Sequence, residues 1–565
     1  MGTKAEEFDL AVEYNKRLAV NASIVMGATI ISRITGFFRE MLVPAKFGVG
    51  NVTDVYEVAF KFPDLMFSLL IGGAISAALI PILSGSVSKG EEKDGWGAIS
   101  RFMNITILVM VATCIIGSFF SEQLVVLLAQ GWDPNDPEKL EMIKMAARLT
   151  RILFPSVAFL MMAGFTNAVL YSYQRFAAAA LGPALYNVLC ICSIQFLSSS
   201  NKEEYYRVDR VVYGVMFSSL TYFLFQASFA WKNIRGNYVF SFDPRNKGFQ
   251  RVFRVAIPSL ISSSVSQFNT MISSSIASAF ALGSLTALRV ADRTWQMPFG
   301  IIAQSMGIAL LPNLSGKIAN NDTDGYKDSL LQGIKSVLLL TIPCTFACIV
   351  LNQMIMRTLF LNSAKVTEAD IALMAAILAC YSTSLITQSM NTILMRAFYA
   401  FNETRTPMMT GVTIIGFNIV LSVLFFQFTV VGVKGMALAY SISSFAHTWL
   451  LVRLLNKKMY GLNVMSGMFS FFKKTFLAAA IMSVGLWLMN LLIPDSFIIG
   501  PVSVSLKIHQ VLVLALNVVV GAAIYFFVTI RAGVGEAVML YVTVFGRVRN
   551  LLRRLRGPKR PDGSR

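Results

Sequence analysis

The chain is 565 residues long, 55% hydrophobic and only 14% charged, with a mean hydropathy of +0.62. Soluble domains carry about 25% charged residues, so this composition excludes a string of soluble domains and calls for a polytopic membrane protein. The net charge of +19 comes from 49 Lys and Arg against 30 Asp and Glu. The cations collect in loops and at the C-terminus, which is the positive-inside pattern and not the footprint of a nucleic-acid binder.

The N-terminal segment 1–17, with Lys4, Glu6, Glu7, Lys16 and Arg17, is polar. It lacks the compact apolar core of a cleavable signal, so the first apolar run stays as an anchor. A helix needs about 20 apolar residues to cross the bilayer, and fourteen candidate spans follow in order. The first six lie near 18–44, 55–84, 100–129, 146–171, 177–198 and 210–231. The next six lie near 251–281, 284–314, 330–358, 369–398, 405–428 and 432–454, and the last two near 473–493 and 508–530. An even count puts both termini on one side. The clusters Lys232 to Arg254, Lys457/Lys458 with Lys473/Lys474, and the tail from Arg531 make that side cytoplasmic.

Val538 to Arg556 alternates apolar residues with Arg547, Arg549, Arg553, Arg554 and Arg556. It reads as a basic amphipathic helix on an anionic inner leaflet, and the end from Gly557 reads as disordered. Cys114, Cys190, Cys192, Cys344, Cys348 and Cys380 all lie in apolar runs, and His447 and His509 are far apart. No zinc site, disulfide or Cys–His catalysis is expected.

Self-comparison finds a repeat. Ala78 to Gly85 (ALIPILSG) closes the second span and Ala309 to Gly316 (ALLPNLSG) closes the eighth. At the same spacing, Asn187-Val188-Leu189 answers Asn418-Ile419-Val420. The pair of matches predicts an all-α fold of two pseudo-symmetric six-helix bundles plus two extra helices. The organisation is an N-lobe over 18–231, a linker over 232–250, a C-lobe over 251–454, a helix pair over 455–531 and a basic tail over 532–565. Such duplication marks transporters that rock about a central site.

An ionisable residue deep in a span costs on the order of 3 kcal/mol, so it needs a partner, water or a role. Arg33 lies about 22 Å along the first span at 1.5 Å per residue, and Arg39 and Glu40 lie nearer its outer end. Asp54 and Glu57 open the second span, followed by Lys61, Pro63 and Asp64. In the eighth, Arg289, Asp292 and Arg293 fall at i, i+3 and i+4 and share one face. One arrangement is a set of neutral pairs, Asp54 with Arg39 and Asp292 with Arg289. The other is a hydrated cationic cavity, to which arginine is suited because its fork grips phosphate oxygens and keeps its charge when buried. The arginine excess on the first and eighth spans favours the cavity, and with it a phosphate-bearing lipidic substrate.

The chain resembles the MurJ/MviN family of lipid II flippases, within the multidrug/oligosaccharidyl-lipid/polysaccharide exporter superfamily. The residues that carry the resemblance are Ser32-Arg33, Gly36-Phe37, Arg39, Gly48, Thr53-Asp54, Ala59 to Pro63, Pro81, Ala291-Asp292-Arg293, Pro298, Gly300 and Leu310-Leu311-Pro312. The resemblance implies a MATE-like fold of fourteen helices, two lobes forming an inward-facing V, and a bacterial inner-membrane transporter that is not an enzyme. It implies that Arg33, Arg39 and Arg293 contact the diphosphate of lipid II, that Asp54 helps gate the outer side, and that the last two spans groove the undecaprenyl tail. Lys61 and Arg289 join the expected substrate site, and Glu57 and Asp292 the expected gate. No cofactor or metal is expected; the membrane potential is the expected driving force, and sodium coupling is left open. The expected partners are lipid II, membrane phospholipid and the cell-wall synthesis machinery, with the chain acting as a monomer.

Two rival transport readings are a drug/cation antiporter, which would need a titrating central carboxylate, and a flippase for another polyprenyl-diphosphate oligosaccharide. A membrane-embedded enzyme would need a carboxylate or histidine constellation that the short loops lack. The acidic outer loop with Asp133, Asp136, Glu138 and Glu141 reads as a solvated face.

Some relatives carry an arginine pair where this chain has Phe67 and Ser68, and Arg289 is the candidate substitute. Phe67→Arg should then restore transport to Arg289→Ala. Lipid II exposure at the outer leaflet measures it, and a double variant as inactive as Arg289→Ala would reject the substitution.

Overall fold

The computed structural model describes residues 27–69, 79–198, 204–360, 363, 365–428, 431–459, 468–492 and 503–542, and among them the chain is helical with no strand. The expected N-terminal segment, the start of the first span, residues 70–78 of the second, and the basic half of the tail lie outside the described residues.

The helices are α1 (27–47), α2 (Asn51–Phe67), α3 (Ile80–Lys89), α4 (Glu92–Phe119), α5 (Ser121–Leu128), α6 (Pro137–Ser172), α7 (Phe176–Leu197), α8 (Glu204–Arg235), α9 (Lys247–Ser278) and α10 (Ser284–Phe299). A π turn, Gly300–Gln304, leads into α11 (Ser305–Ala319). Then come α12 (Thr323–Val350), α13 (Asn352–Phe360), α14 (Glu368–Ser382), α15 (Ser384–Ala400), α16 (Arg405–Phe428), α17 (Lys434–Lys458), α18 (Met468–Leu492) and α19 (Ser503–Arg531). A last helix, α20, runs over 535–542, where the amphipathic tail was expected to begin three residues later.

Among the described residues, ten helical stretches are long and apolar enough to cross a bilayer. Of the other four expected spans, the first two run into undescribed residues, the seventh is the serine-rich α9 and the twelfth is α17. Serines lower hydropathy without breaking a buried helix, because the hydroxyl bonds back to its own backbone, as Ser274 does to the Thr270 carbonyl at 2.8 Å. Polar caps set the loop-facing ends. Asp136 accepts from Glu138 N ahead of Pro137, and Asp322 caps α12 through Gly325 N. The Asp322 carboxylate also takes Lys317 Nζ at 2.7 Å, and that bond holds it below the usual carboxylate range.

The chain divides into two compact units. One comprises 1–294 with 362–374 and 415–439; the other comprises 295–361, 375–414 and 440–565. In the first, Phe154, Val157, Met161 and Phe165 of α6 pack with Trp96, Ile99 and Phe102 of α4. In the second, Tyr326, Leu330, Ile334 and Leu338 of α12 pack with Ile393, Leu394 and Phe398 of α15. Large apolar residues remain outside both cores, among them Phe119, Phe469 and Leu492 at 78–80% exposure. That surface suits acyl chains and would not suit water.

Proline breaks recur in both halves. Pro63 is followed by π-type residues at 68–69 and Pro298 by the π turn at 300–304. Proline removes an intrahelical donor and frees the carbonyl four residues before it; at Pro63 that carbonyl, of Ala59, accepts from Thr150 Oγ1 at 3.3 Å. The boundary between the units, Thr294/Trp295, falls one turn before that second break.

Where helices approach closely, glycine permits it. A Cβ at Gly182 would lie 2.3 Å from the Tyr222 ring and 2.6 Å from Gln226 Nε2. That amide is buried and donates to the Ala179 carbonyl at 3.2 Å. Gly182→Val should therefore cost about 1–3 kcal/mol through overpacking, seen as a lowered midpoint in a detergent thermal melt; an unchanged midpoint would contradict this packing.

Candidate functional site

The site lies within the first unit, where α1, α2, α7 and α10 meet. Helix periodicity positions its groups. Asp54, Glu57, Lys61 and Asp64 recur every three or four residues on one face of α2, and Thr286, Arg289 and Arg293 do so on α10.

Arg289 is the hub. Its Nε lies 3.2 Å from Glu40 Oε2 and 3.6 Å from Glu57 Oε2, and its Nη2 lies 3.8 Å from Asp64 Oδ2. Glu40 also takes Arg39 Nη2 at 2.7 Å through its other oxygen, so one carboxylate bridges two arginines. The Arg39 guanidinium sits 5.5 Å from the centroid of Tyr186 on α7, a cation–π geometry. Side-chain exposure is 14% for Glu40 and Glu57 and 17% for Arg289, so these pairs are shielded from bulk water and attract more strongly than they would at the surface. Lys61, half-buried one turn beyond Glu57, interacts electrostatically with Glu57 and Arg289.

The cleft encloses about 40 Å³. That is room for a few waters, each needing roughly 10–15 Å³, and a diphosphate does not fit. Arg39, Lys61 and Arg289 face Glu40, Glu57 and Asp64, so in this conformation the cations are already balanced.

Asp54 has a different role. It is buried, and its Oδ1 accepts from Thr286 N at 3.0 Å and Thr286 Oγ1 at 2.7 Å, while Oδ2 accepts from Gly283 N at 2.7 Å. A carboxylate from α2 thus caps the N-terminus of α10, satisfying donors that helix leaves open. Gly283 adopts φ +87° there, a conformation that favours glycine. Beside it, Gly131 N donates to Ser278 Oγ at 3.0 Å, and a Cβ on Gly131 would fall 2.3 Å from Ala279. The α5–α6 loop and the α9–α10 loop are therefore locked together.

The Asp54–Arg39 pair of the neutral-pair alternative does not form. Asp54 is held by backbone and hydroxyl donors at the α10 start, and Arg39 takes its neighbour Glu40. In the other pair of that alternative, Arg289 reaches across to Glu40 on α1 and to Glu57 and Asp64 on α2, and Asp292 is half-buried on the same helix. Arg293, one turn beyond Arg289, is half-buried, with its Nε buried and lacking a hydrogen-bond partner among the described residues. Arg33 lies on an exposed face of α1, outside the residues that line the cleft.

Glu40, Asp64 and Tyr186 were not among the expected site residues. Glu40 was discoverable, since a carboxylate adjacent to a deep arginine is itself an anomaly. Tyr186 carries no signal in its own helix. The repeat anchors diverge: Asn187 Nδ2 donates to the Ser32 carbonyl at 3.1 Å, tying α7 to α1, whereas Asn418 Nδ2 is buried without a partner among the described residues.

Comparison with known proteins covers most of the chain. Residues 43–507 match the family model described as lipid II flippase MurJ. A protein of Vibrio cholerae serotype O1 named probable lipid II flippase MurJ is 29% identical over 448 residues, covering 78% of this chain and 83% of that one. The lipid II flippase MurJ of Burkholderia cenocepacia is 27% identical, covering 77% and 83%. A solved lipid II flippase MurJ in an inward closed conformation superposes with a TM-score of 0.71 at 26% identity, covering 89% of this chain and 98% of that one. A multidrug resistance MATE family transporter of the MOP superfamily, inward-facing, gives a TM-score of 0.62 at 14% identity, covering 79% and 99%, and shares the fold. With its helical architecture and its arginine-bearing cleft, the chain belongs to the MurJ family of lipid II flippases.

Proposed function

We propose that this chain carries the diphosphate-linked headgroup of lipid II from the inner to the outer leaflet of the bacterial inner membrane by alternating access, with the α1/α2/α10 cleft as the anion site. The observation that carries the reading is the bridged pair Arg39–Glu40–Arg289, with Arg293 one turn further on. Two guanidiniums share one carboxylate, an arrangement a diphosphate can take over because it offers more oxygens and more charge at a similar spacing.

Binding is an exchange of counter-ions. As the cleft widens, the diphosphate replaces Glu40, Glu57 and Asp64 on the arginines; as it leaves, the carboxylates return and spare the cations an unpaired state that low dielectric penalises. No covalent step is needed. Arg33, exposed on α1, meets the headgroup on its way in. The Asp54 cap keeps the outer ends of α2 and α10 together until the headgroup is bound, with Asp292 and Glu57 contributing on the same two helices.

The tail stays in lipid. In the second unit, α12, α15, α17 and α18 enclose an apolar cavity of about 500 Å³ lined by Phe346, Ile349, Met390, Trp449, Phe472 and Phe476, of a size and character that suit a prenyl chain. The chain works as a monomer with both termini cytoplasmic, beside the cell-wall synthesis machinery that makes and consumes its substrate. A membrane potential acts on the site's charges at about 2.3 kcal/mol per elementary charge per 100 mV, which resets the empty carrier. A drug/cation antiporter would need a central carboxylate free to titrate; here Glu40, Glu57 and Asp64 all face Arg289.

In flippase-depleted bacteria, the intact chain should restore lipid II exposure at the outer leaflet. Arg39→Ala, Arg289→Ala and Arg293→Ala, expressed at equal level, should lose it, and Arg289→Lys should recover little because lysine lacks the fork. Failure of the well-inserted intact chain would move the substrate to another polyprenyl-diphosphate glycolipid.

Asp54→Asn tests the gate. The amide replaces one acceptor with a donor that opposes Gly283 N–H, and losing a charged hydrogen bond costs about 1.5–3 kcal/mol. On a cysteine-free background, a thiol at Ser284 should be labelled by an impermeant reagent about tenfold faster in the Asp54→Asn chain. Equal rates would remove Asp54 from the gate.

A further inference from the structure

Between α8 and α9 the chain runs as a non-helical strap over 236–246. Its backbone is fastened to α4 by side chains. Ser100 Oγ accepts from Val239 N at 3.1 Å, and Asn104 Nδ2 donates to the carbonyls of Val239 at 3.3 Å and Ser241 at 3.0 Å. The Tyr238 hydroxyl donates to Asn104 Oδ1.

Three helices fix the depth of this strap. On α4, Lys93, Asp94 and Arg101 precede Asn104, and no charged residue follows until the helix ends at Phe119. On α8 the uncharged run from Val211 stops at Trp231, just before Lys232. On α9, Arg254 is the last charge and the uncharged run begins at Val255. The strap is therefore pinned where the uncharged runs of three helices meet water.

Its side chains match that depth. Phe240 is 75% exposed, and Phe242, Trp231 and Phe253 are exposed beside it; the Phe240 and Phe242 rings meet edge-on at 5.1 Å. Such a cluster of bare aromatics is costly in water and is at home at headgroup level. Around it, Lys232, Arg235, Arg245, Lys247, Arg251 and Arg254 are all exposed. The single acid in this stretch is Asp243, whose carboxylate accepts from Arg245 N.

We propose that the strap and the adjoining ends of α8 and α9 form a binding site for anionic phospholipid, with the aromatic side chains inserted among the headgroups and the flanking cations holding the phosphates. This surface is separate from the arginine cleft and goes beyond the flipping reaction. A cationic patch alone would fit an acidic protein; the inserted aromatics at span-end depth favour lipid.

The test uses the purified full chain in mixed micelles with phosphatidylglycerol or phosphatidylcholine, with retained lipid counted by native mass spectrometry. The intact chain should retain phosphatidylglycerol in preference. Lys247→Gln/Arg251→Gln/Arg254→Gln should reduce phosphatidylglycerol retention about fivefold and leave phosphatidylcholine unchanged. Phe240→Ser/Phe242→Ser should reduce both, because ring insertion is not charge-selective. Lys89→Gln/Lys93→Gln, at the exposed end of α3 and the exposed start of α4, should change neither. Unchanged phosphatidylglycerol retention in the triple variant, or an equal loss in the Lys89/Lys93 control, would overturn the site. So would a triple variant that keeps phosphatidylglycerol and loses added lipid II, which would assign the cations to substrate entry.

Discussion

A guanidinium inside a bilayer cannot stand alone, and the first unit is organised around that constraint. Arg289 cannot shed its proton, so low dielectric leaves it one course, which is to collect carboxylates. It collects three, from two helices. Those contacts bring α1, α2 and α10 together, keep the cleft small, and make the empty site nearly neutral. For the proposed anion exchange, a site of bare arginines would bind phosphate more tightly but would be unstable between cycles. A site of permanently paired arginines would bind nothing. Partial, multi-centre pairing lies between the two, since each carboxylate can be exchanged without leaving the cation bare.

Helix periodicity made much of this legible beforehand. The spans follow from apolar runs of bilayer length, and the concentration of ionisable residues on the first, second and eighth spans follows from how rarely membranes tolerate them. The i, i+3, i+4 spacing of Arg289, Asp292 and Arg293 placed them on one helix face without any coordinates.

Partner choice was not legible, for a physical reason. Arg289 and Glu40 are 249 positions apart, and a chain of apolar helices holds little local information about which distant faces meet. The Asp54–Arg39 pair of the neutral-pair alternative rests on opposite charges at similar depth attracting each other first. In the fold, Asp54 stands in the first turn of α2, against the α9–α10 loop, where two backbone N–H groups and a hydroxyl offer three hydrogen bonds at fixed geometry. Those donors have no alternative partner within the helix, so the carboxylate that satisfies them removes two buried costs together. Tyr186 shows the other limit: a tyrosine in an apolar helix becomes informative only once Arg39 is seen over its ring.

The two functions assigned to the cleft and to the gate are physically joined, because the same two helices carry both. Asp54 meets Thr286, and one turn further along each helix Glu57 meets Arg289. The groups form successive rungs between α2 and α10, so α10 cannot withdraw from the Asp54 cap without also altering the Glu57–Arg289 contact. An anion that takes Arg289 from Glu57 removes one rung and weakens the hold of the next. The break at which the proposed cycle would bend the helix lies on the other side of Arg293, at Pro298 and the π turn at 300–304. In the proposed cycle, binding at Arg289 and release at Asp54 are therefore coupled through one segment of α10, bounded by a cap at one end and a weakened turn at the other. Coupling of this kind needs no distant signalling network, only two contacts on a common helix that cannot both be kept once the phosphate arrives.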